Sequence, residues 1–302
     1  MSKTVLYGDI LESLVAKPVD GLQVSPVHPG SVPLEALKPA TFDGLIMRAP
    51  ANTVERRHEI AHALRALKLG APICIYAPKD RGGTRLAKEL EGFGVQVRDQ
   101  PKHHHRIVTG RRPEALVGLE EAIHVGQLRL VEALGLLSQP GLFSWDRLDI
   151  GTACLLHVLP QLSGRIGDFG CGCGVLSKSV LTHQGVTAVI GFDLDRRAIT
   201  AATANIVDPR FSGVWVDLCQ YGPGVSNLDA IVMNPPFHFA GKEDPNIGLR
   251  MIERAADALR PGGALWLTAN RHLPYEGVLR ARFKSATLRS EAQGFKVYQA
   301  IV

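Results

Sequence analysis

Residues 164–174 read Gly164-Arg165-Ile166-Gly167-Asp168-Phe169-Gly170-Cys171-Gly172-Cys173-Gly174. The first six carry the chain up a short strand. Gly170, Gly172 and Gly174 then allow a tight turn and a close approach of backbone to ligand. Residues 175–182 follow as a helix whose N-terminus offers unpaired N–H groups. Residues 188–193, Ala-Val-Ile-Gly-Phe-Asp, make a second strand that ends in an acid 19 residues beyond Gly174. A helix over 196–205 and a third strand over 214–217, closing on Asp217, continue the alternation. This order predicts an α/β fold of Rossmann type with a mostly parallel sheet.

The same loop discriminates between ligands. After Gly174 comes Val175, so the final small residue of the dinucleotide pattern is missing. Asp168 stands directly before the loop, where it would repel a pyrophosphate but could hold a cationic amino group. That argues against NAD and for S-adenosylmethionine. Asp168 would orient the amino-acid end, Asp193 the ribose hydroxyls and Asp217 the adenine amine. Helix capping is the structural alternative for Asp193 and Asp217.

Sixty residues on, 228–237 read Leu-Asp-Ala-Ile-Val-Met-Asn-Pro-Pro-Phe. Pro235 and Pro236 cannot donate to a ladder, so the strand ends at Asn234 in a stiff turn that presents an amide and the Phe237 ring. Such a jaw suits a flat group bearing an amine. The Asn234 side-chain oxygen and the Pro235 carbonyl could accept its two N–H groups as the nitrogen becomes tetrahedral and cationic. Phe237 would stack on the ring.

Outward from these motifs, the chain has 302 residues, 45% of them hydrophobic, and a formal net charge of +5. It has no apolar run long enough for a membrane span and no signal-peptide stretch at its start, which predicts a cytoplasmic protein. Its five cysteines are an odd set, and Cys171 and Cys173 are too tightly spaced for a zinc knuckle. Positive charge concentrates over 98–112, where five Arg or Lys (Arg98, Lys102, Arg106, Arg111, Arg112) and three histidines face one Asp. The cations could neutralise phosphates; a solvated basic loop is the alternative. His103, His104 and His105 point in alternate directions on an extended chain and cannot converge on a metal. No metal is expected.

The first half repeats the order of the second at smaller scale. Residues 42–47, Phe-Asp-Gly-Leu-Ile-Met, parallel 228–233, and 63–75 parallel 256–267. The earlier copy has Arg48-Ala49-Pro50-Ala51 where the later has Asn-Pro-Pro-Phe, and it has no GxGxG loop before residue 41. This predicts a duplication in which only the later copy kept its chemistry. Residues 113–137 read as one or two helices, 153–162 as another, and the boundary is expected near residue 135. Residues 1–135 would be the degenerate domain, with an RNA-binding role, and 136–302 the catalytic one.

The glycine loop and Asn-Pro-Pro-Phe together resemble an S-adenosylmethionine-dependent amino methyltransferase. Gly141-Leu142-Phe143-Ser144, Leu148-Asp149-Ile150-Gly151-Thr152, Asn234 to His238, Ala269-Asn270-Arg271-His272-Leu273-Pro274-Tyr275 and Gly294-Phe295-Lys296-Val297-Tyr298 are similar to the bacterial 16S ribosomal RNA guanine-N2 methyltransferases and their 23S relatives. The resemblance spans about residues 140–302. It implies a class I methyltransferase fold with a seven-stranded sheet after a degenerate copy, and transfer of methyl to the N2 amine of a guanine. It implies ribosomal RNA or the 30S subunit as partner, and a monomer. Asn234, Pro235 and Phe237 would be catalytic. His238 could help orient the substrate or serve equally as a helix cap or packed ring, and Asn270 and Tyr275, ending a strand over 264–269, could line the base pocket. Phe143, Asp149 and Gly151 would join Asp168, Gly170, Gly172, Gly174, Asp193 and Asp217 around the cofactor. The same jaw also suits a 23S guanine, an adenine N6 amine in RNA or DNA, or a glutamine amide. A non-catalytic RNA-binding or assembly factor is the reading from a different class.

Overall fold

The structure, a computed structural model, describes residues 3–236, 238–239, 242–243 and 245–302. The chain divides into two compact units, Met1–Leu128 with Gln139–Gly141, and Arg129–Ser138 with Leu142–Val302.

The first unit contains β1 (Thr4–Tyr7), β2 (Leu22–Gln23), β3 (Gly44–Arg48), α1 (Thr53–Ala66), β4 (Pro72–Pro78), α2 (Leu86–Glu91), β5 (Val97–Lys102), β6 (His105–Arg111) and α3 (Leu119–Gly126). Its sheet runs β2-β1-β3-β4-β6-β5. The first four strands are parallel, and β6 runs antiparallel to both β4 and β5. The helix α1 starts where it does because Asn52 accepts from the N–H groups of Val54 and Glu55 at 3.0 and 3.1 Å. Such a cap is worth about 1 kcal/mol. The helix buries Ile60, Ala61 and Leu64 in a core with Leu45, Met47, Ile73 and Ile75 of the sheet.

The second unit contains β7 (Arg129–Val131), β8 (Leu136–Ser138), α4 (Ile150–Val158), β9 (Ser163–Phe169), α5 (Val175–Val180), β10 (Gly185–Asp193), α6 (Arg196–Asn205), β11 (Phe211–Trp215), α7 (Leu218–Tyr221), β12 (Leu228–Met233), β13 (His238–Phe239), β14 (Lys242–Glu243), α8 (Pro245–Ala258), β15 (Leu259–Asn270), α9 (Glu276–Arg282), β16 (Ser285–Ala292) and β17 (Phe295–Ile301). Its seven-stranded sheet runs β11-β10-β9-β12-β15-β17-β16, parallel except for β17. The central strand β12 is apolar throughout its inner half and buries Ile231, Val232 and Met233, as a strand covered on both faces must.

The strand registers of the two units agree residue for residue. In the first, Tyr7, Met47 and Ile75 are partners across β1, β3 and β4. In the second, Phe169, Met233 and Leu267 are partners across β9, β12 and β15. These are the positions that the sequence aligns, Met47 with Met233 and Ile75 with Leu267. The chain therefore holds two tandem Rossmann-like units. The first has no helix over residues 8–21, where the second has α5.

Three local expectations are corrected. Residues 113–137 hold one helix, α3; residues 129–138 instead form the β7–β8 hairpin, which moves the boundary from near 135 to Leu128. Asn205 of α6 bonds both the N–H and the carbonyl of Leu137, at 2.7 and 2.8 Å, and fixes that hairpin in the second unit. The helix expected over 153–162 begins earlier, at Ile150, because Asp149 caps it. The basic stretch 98–112 is a β-hairpin, not a loop, and His103 and His104 form its turn with φ of 44° and 60°. Two successive positive φ values give a turn whose twist matches that of the strands it joins. Among the described residues no helix is long and apolar enough to cross a membrane, and no group of three or more His, Cys, Asp or Glu is placed to hold a metal ion.

Candidate active site

Four strand ends of the second unit converge on one cavity of about 260 Å³. Gly170 and Gly172 follow β9, Asp193 ends β10, Asp217 follows β11 and Asn234 follows β12; all five line it, with Phe143. Carboxyl ends of parallel strands are where an open α/β sheet leaves a crevice. A smaller cavity adjoins it and shares Phe143, Gly170, Gly172 and Asn234, adding Asp149 and Thr152.

The glycine loop folds back onto the acid that sequence spacing selects. Gly170 and Gly172 have φ of 79° and 54°, a left-handed conformation that side chains resist. No atom lies within 4 Å of where a Cβ on Gly172 would sit, so that side of the loop is open to a ligand. The Gly172 N–H donates to Asp193 Oδ2 at 2.9 Å, and the Asp195 N–H donates to Asp193 Oδ1 at 2.8 Å. Burial raises the Asp193 carboxyl to about 6, against these bonds and with help from the Asp195 charge. The cap of α6 is Asp195, not Asp193. Asp217 does cap its helix: Oδ1 accepts from the N–H groups of Cys219 and Gln220 at 2.8 and 3.1 Å. It lines the cavity as well, so the two readings of this residue are compatible.

Asp168 is fully buried and is not among the lining residues. Its Oδ2 takes the Ser177 N–H and hydroxyl at 3.0 and 2.6 Å, which ties β9 to the first turn of α5. Its Oδ1 has no partner among the described residues. Burial lifts the carboxyl to about 7 despite the two Ser177 bonds, and the Asp193 charge adds to the lift. A carboxylate so placed has one oxygen to offer a cation.

Asn234 is half-buried, and its amide is held from one side. Nδ2 donates to Asp149 Oδ2 at 2.8 Å and to Thr152 Oγ1 at 2.9 Å. The Thr152 N–H closes the group by donating to the same Asp149 oxygen at 2.8 Å. Asp149 thus serves Asn234 and the N-terminus of α4, where the resemblance implied a cofactor contact. Thr152 is a site residue that no motif role singled out, because its partner in the site, the Asn234 amide, lies far along the chain.

The family profile of the methyltransferase small domain matches residues 133–299. The ribosomal RNA small subunit methyltransferase C of Pseudomonas entomophila is 32% identical over 266 residues, covering 86% of this chain and 79% of that one. Its namesake from Alcanivorax borkumensis is 36% identical over 232 residues, 74% and 69% of the two chains. The chain belongs to the ribosomal RNA small subunit methyltransferase C family. A solved structure of a T. thermophilus 16S rRNA N2-guanine methyltransferase (RsmC), in complex with AdoMet and guanosine, matches the fold with a TM-score of 0.82. That match covers 100% of this chain and 88% of the other at 21% identity, so it spans both units.

Several residues expected at the site from the sequence lie elsewhere. Tyr275 is fully buried under α8, against Gly248, where a Cβ would collide with its ring. Burial raises its hydroxyl to about 12. The chain turns at Asn270, where the Leu273 N–H donates to the Asn270 carbonyl, and that turn sends Tyr275 inward instead of toward the cavity. Asn270 itself ends β15 opposite Phe295 and does not line the cavity. A Cβ on Gly151 would lie 2.7 Å from the Phe295 ring, so this glycine serves the packing of α4 on β17. Gly174, with φ of 91°, caps α5 and leaves room for Ala202 and Ile206. The Gly294–Tyr298 motif is structural at its polar end: Glu276 accepts from Lys296 Nζ at 2.7 Å and from the Tyr298 hydroxyl at 2.5 Å, joining α9 to β17. Phe237 lies outside the described residues. For His238 the structure describes only its place on β13.

Of the basic residues, Arg98, Arg111 and Arg112 line an open groove of about 1120 Å³ in the first unit, with Lys17. Lys102 donates to the Leu14 carbonyl at 3.2 Å. Arg106 lies on the opposite face of the hairpin and is held bidentate by Asp99 at 2.9 and 2.5 Å, which neutralises it.

Proposed function

We propose that this protein transfers a methyl group from S-adenosylmethionine to the N2 amine of a guanine in 16S ribosomal RNA, in the cytoplasm. The observation that carries the reading is the Asn234 amide. Its nitrogen is consumed by Asp149 and Thr152, so its oxygen is the end left for a substrate. An oxygen at the cavity wall accepts N–H, which is what an exocyclic amine brings.

The residues present fit the cofactor. Asp193 would take the ribose hydroxyls, each of its oxygens holding one backbone N–H and having a lone pair to spare. Asp217 would use Oδ2 for the adenine amine, because Oδ1 is committed to the cap of α7. The unpartnered Oδ1 of Asp168 suits the cationic amino group, and the open face of Gly172 admits close approach. Phe143, 57% exposed at the mouth, would cover the ligand. When bound, the cofactor supplies an electrophilic methyl on a sulfonium. A guanine amine is a weak nucleophile because its lone pair is shared with the ring. Asn234 Oδ1 and the Pro235 carbonyl would accept its two N–H groups more strongly as positive charge develops, which is preorganised electrostatic stabilisation. Phe237, two residues beyond Pro235, is the aromatic the sequence offers for stacking.

The first unit would hold RNA by its phosphates. Its groove presents Lys17, Arg98, Arg111 and Arg112 and is lined by no acidic side chain. It is lined by no aromatic side chain either, so it favours the backbone of a strand and not its bases. Tritium transfer from S-adenosylmethionine into bare 16S RNA, 30S subunits, 23S RNA and DNA tests the reading. Label in the N2-methylguanine of 16S RNA, bare or assembled, is expected; label confined to 23S RNA or DNA would move the assignment to another exocyclic amine. Absence of label from all four would favour a non-catalytic RNA-binding factor.

A further inference from the structure

We infer that Asp149 and Thr152 are positioning residues that lock the Asn234 amide in one of its two orientations, and so restrict the site to substrates that donate N–H. The inference rests on the reading of Asn234 as the amine acceptor and adds how that acceptor is made selective.

An asparagine side chain has nearly the same shape in either orientation. Left alone, it could turn an oxygen or an NH2 toward a ligand. A pocket closed by such a residue would accept a ring carbonyl as readily as an amine. Here the other side decides. Asp149 Oδ2 accepts the Thr152 N–H at 2.8 Å and stands 2.8 Å from Asn234 Nδ2. A carboxylate has no proton to give, so a flipped amide would set oxygen against oxygen at that distance. Thr152 Oγ1, 2.9 Å from the same nitrogen, takes the second N–H. Both amide hydrogens are then used, so Oδ1 is the polar atom Asn234 has left for the cavity it lines.

The two acceptors come from one helical turn and are themselves fixed. Asp149 is the cap of α4 and Thr152 sits in its first turn. The Phe295 ring lies against Gly151 between them, 2.7 Å from the position of a Cβ, so the turn is backed by β17. The Ile150-Gly151-Thr152 and Gly294-Phe295 stretches thereby act together, holding the support under Asn234. The same arrangement predicts that an acid cannot replace Asn234 in this chain, because its carboxylate would meet that of Asp149.

The test is single-turnover methyl transfer on 16S RNA, with cofactor affinity by calorimetry and melting temperature as the control for folding. Thr152→Val keeps shape and backbone but removes the hydroxyl. It is expected to slow transfer about tenfold, the effect of one net hydrogen bond on the transition state. KM and cofactor affinity should be unchanged, and Thr152→Ser should restore the rate. In an Asn234→Ala background, Thr152→Val should cost nothing more, since it acts only through Asn234. Asn234→Asp alone should lose at least about 100-fold, and adding Asp149→Asn, which restores a donor facing an acceptor, should recover a large part. A normal rate for Thr152→Val, or an additive loss in the Asn234→Ala background, overturns the inference while leaving the assignment of Asn234 intact. A normal rate for Asn234→Ala overturns the acceptor assignment itself, and the positioning role with it.

Discussion

The same strand end is built twice in this chain, open onto a cavity in one unit and covered by a buried guanidinium in the other. In the second unit β12 ends in Asn234-Pro235-Pro236 at the wall of a cavity. In the first, β3 ends in Arg48-Ala49-Pro50-Ala51, and the next helix brings Arg56 back over it. The Arg56 guanidinium donates to the Pro50 and Ala51 carbonyls at 2.9 and 2.8 Å and to Glu89 at 2.7 and 2.6 Å. It is fully buried, and Gly82 at φ of 90° lies flat against it. By strand register Pro50 and Ala51 correspond to Pro236 and Phe237, so Arg56 closes the turn just beyond the carbonyl assigned to the amine, and Arg48 stands where Asn234 would. The strand before it differs in the same sense: Leu6 holds the register position of Asp168, each being one partner short of the strand end. One glycine survives, Gly8 with the same φ of 79° as Gly170, but Ile10 and Glu12 stand where the other two would be. The first unit thus has an arginine in place of the amide, a buried guanidinium closing the turn, and an apolar residue in place of the buried acid.

That comparison predicts its largest effect in the closed copy. Arg56→Ala should destabilise the protein by about 3–5 kcal/mol, because Glu89 is left as a buried charge without its partner. It should create no second cofactor site, since the acid and the glycine loop are still missing. Denaturant titration and the stoichiometry of S-adenosylmethionine binding check both halves. Two sites per chain in the variant would mean that Arg56 was plugging a functional pocket.

In the open copy the corresponding change acts on chemistry instead of folding. Asn234→Ala should lower single-turnover methyl transfer by roughly 100-fold or more, the usual result of deleting one preorganised hydrogen bond to a transition state. Cofactor affinity should stay within a few-fold (about 1 kcal/mol), because Asn234 is assigned to the substrate side. A tenfold loss of cofactor affinity with normal transfer at saturation would exchange those roles.

How much of this the sequence carried follows from how local each feature is. The glycine loop, the acids at strand ends and the Asn-Pro-Pro turn are fixed by neighbours within a few residues, and the structure gathers Gly170, Gly172, Asp193, Asp217 and Asn234 around one cavity. The duplication was legible because strand registers preserve spacing. Features that depend on how the chain returns were not. Tyr275 follows a strand end as a site residue would, yet the turn at Asn270 carries it into the core. The stretch 98–112 looks like a loop because Asp, Gln, Pro and Lys resist strands; its hairpin is held by cross-strand pairs such as Asp99 with Arg106, which only pairing reveals. Thr152 belongs to the site through an amide 82 residues away, a distance no local pattern spans.

The acid that separates the two copies should also be visible in stability. The folded Asp168 carboxyl lies at about 7, above its unfolded value near 4. Between those values the folded chain keeps a proton that the unfolded chain has lost, so this group's contribution to stability falls as pH rises from about 4 to about 7 and stays low above it. Asp168→Asn keeps an acceptor for Ser177 and removes the charge. It should flatten that slope and raise the melting temperature at pH 8, while weakening S-adenosylmethionine. A variant that melts lower than the parent at pH 8 would show that the carboxylate is already neutralised in the native state.

The smallest effect is expected in the basic groove of the first unit. Its hairpin β5–β6 corresponds in sheet order to β16–β17, but its face carries Arg98 and Arg111 into the open groove. Replacing both with Ala should weaken binding to any RNA without regard to sequence, because phosphate contacts carry none. The slope of log affinity against log salt should fall by about one unit for each phosphate no longer neutralised, near two for the pair. Arg106→Ala is the internal control: its guanidinium is paired with Asp99 on the other face and should leave the slope unchanged. Cofactor affinity and the rate of transfer at saturating RNA should match the parent in every variant, since the candidate site lies in the other unit. An unaltered slope for the double variant would return the groove to the status of a solvated basic face. Equal losses for Arg106→Ala and Arg98→Ala would show that charge acts at a distance and that the groove is not the track.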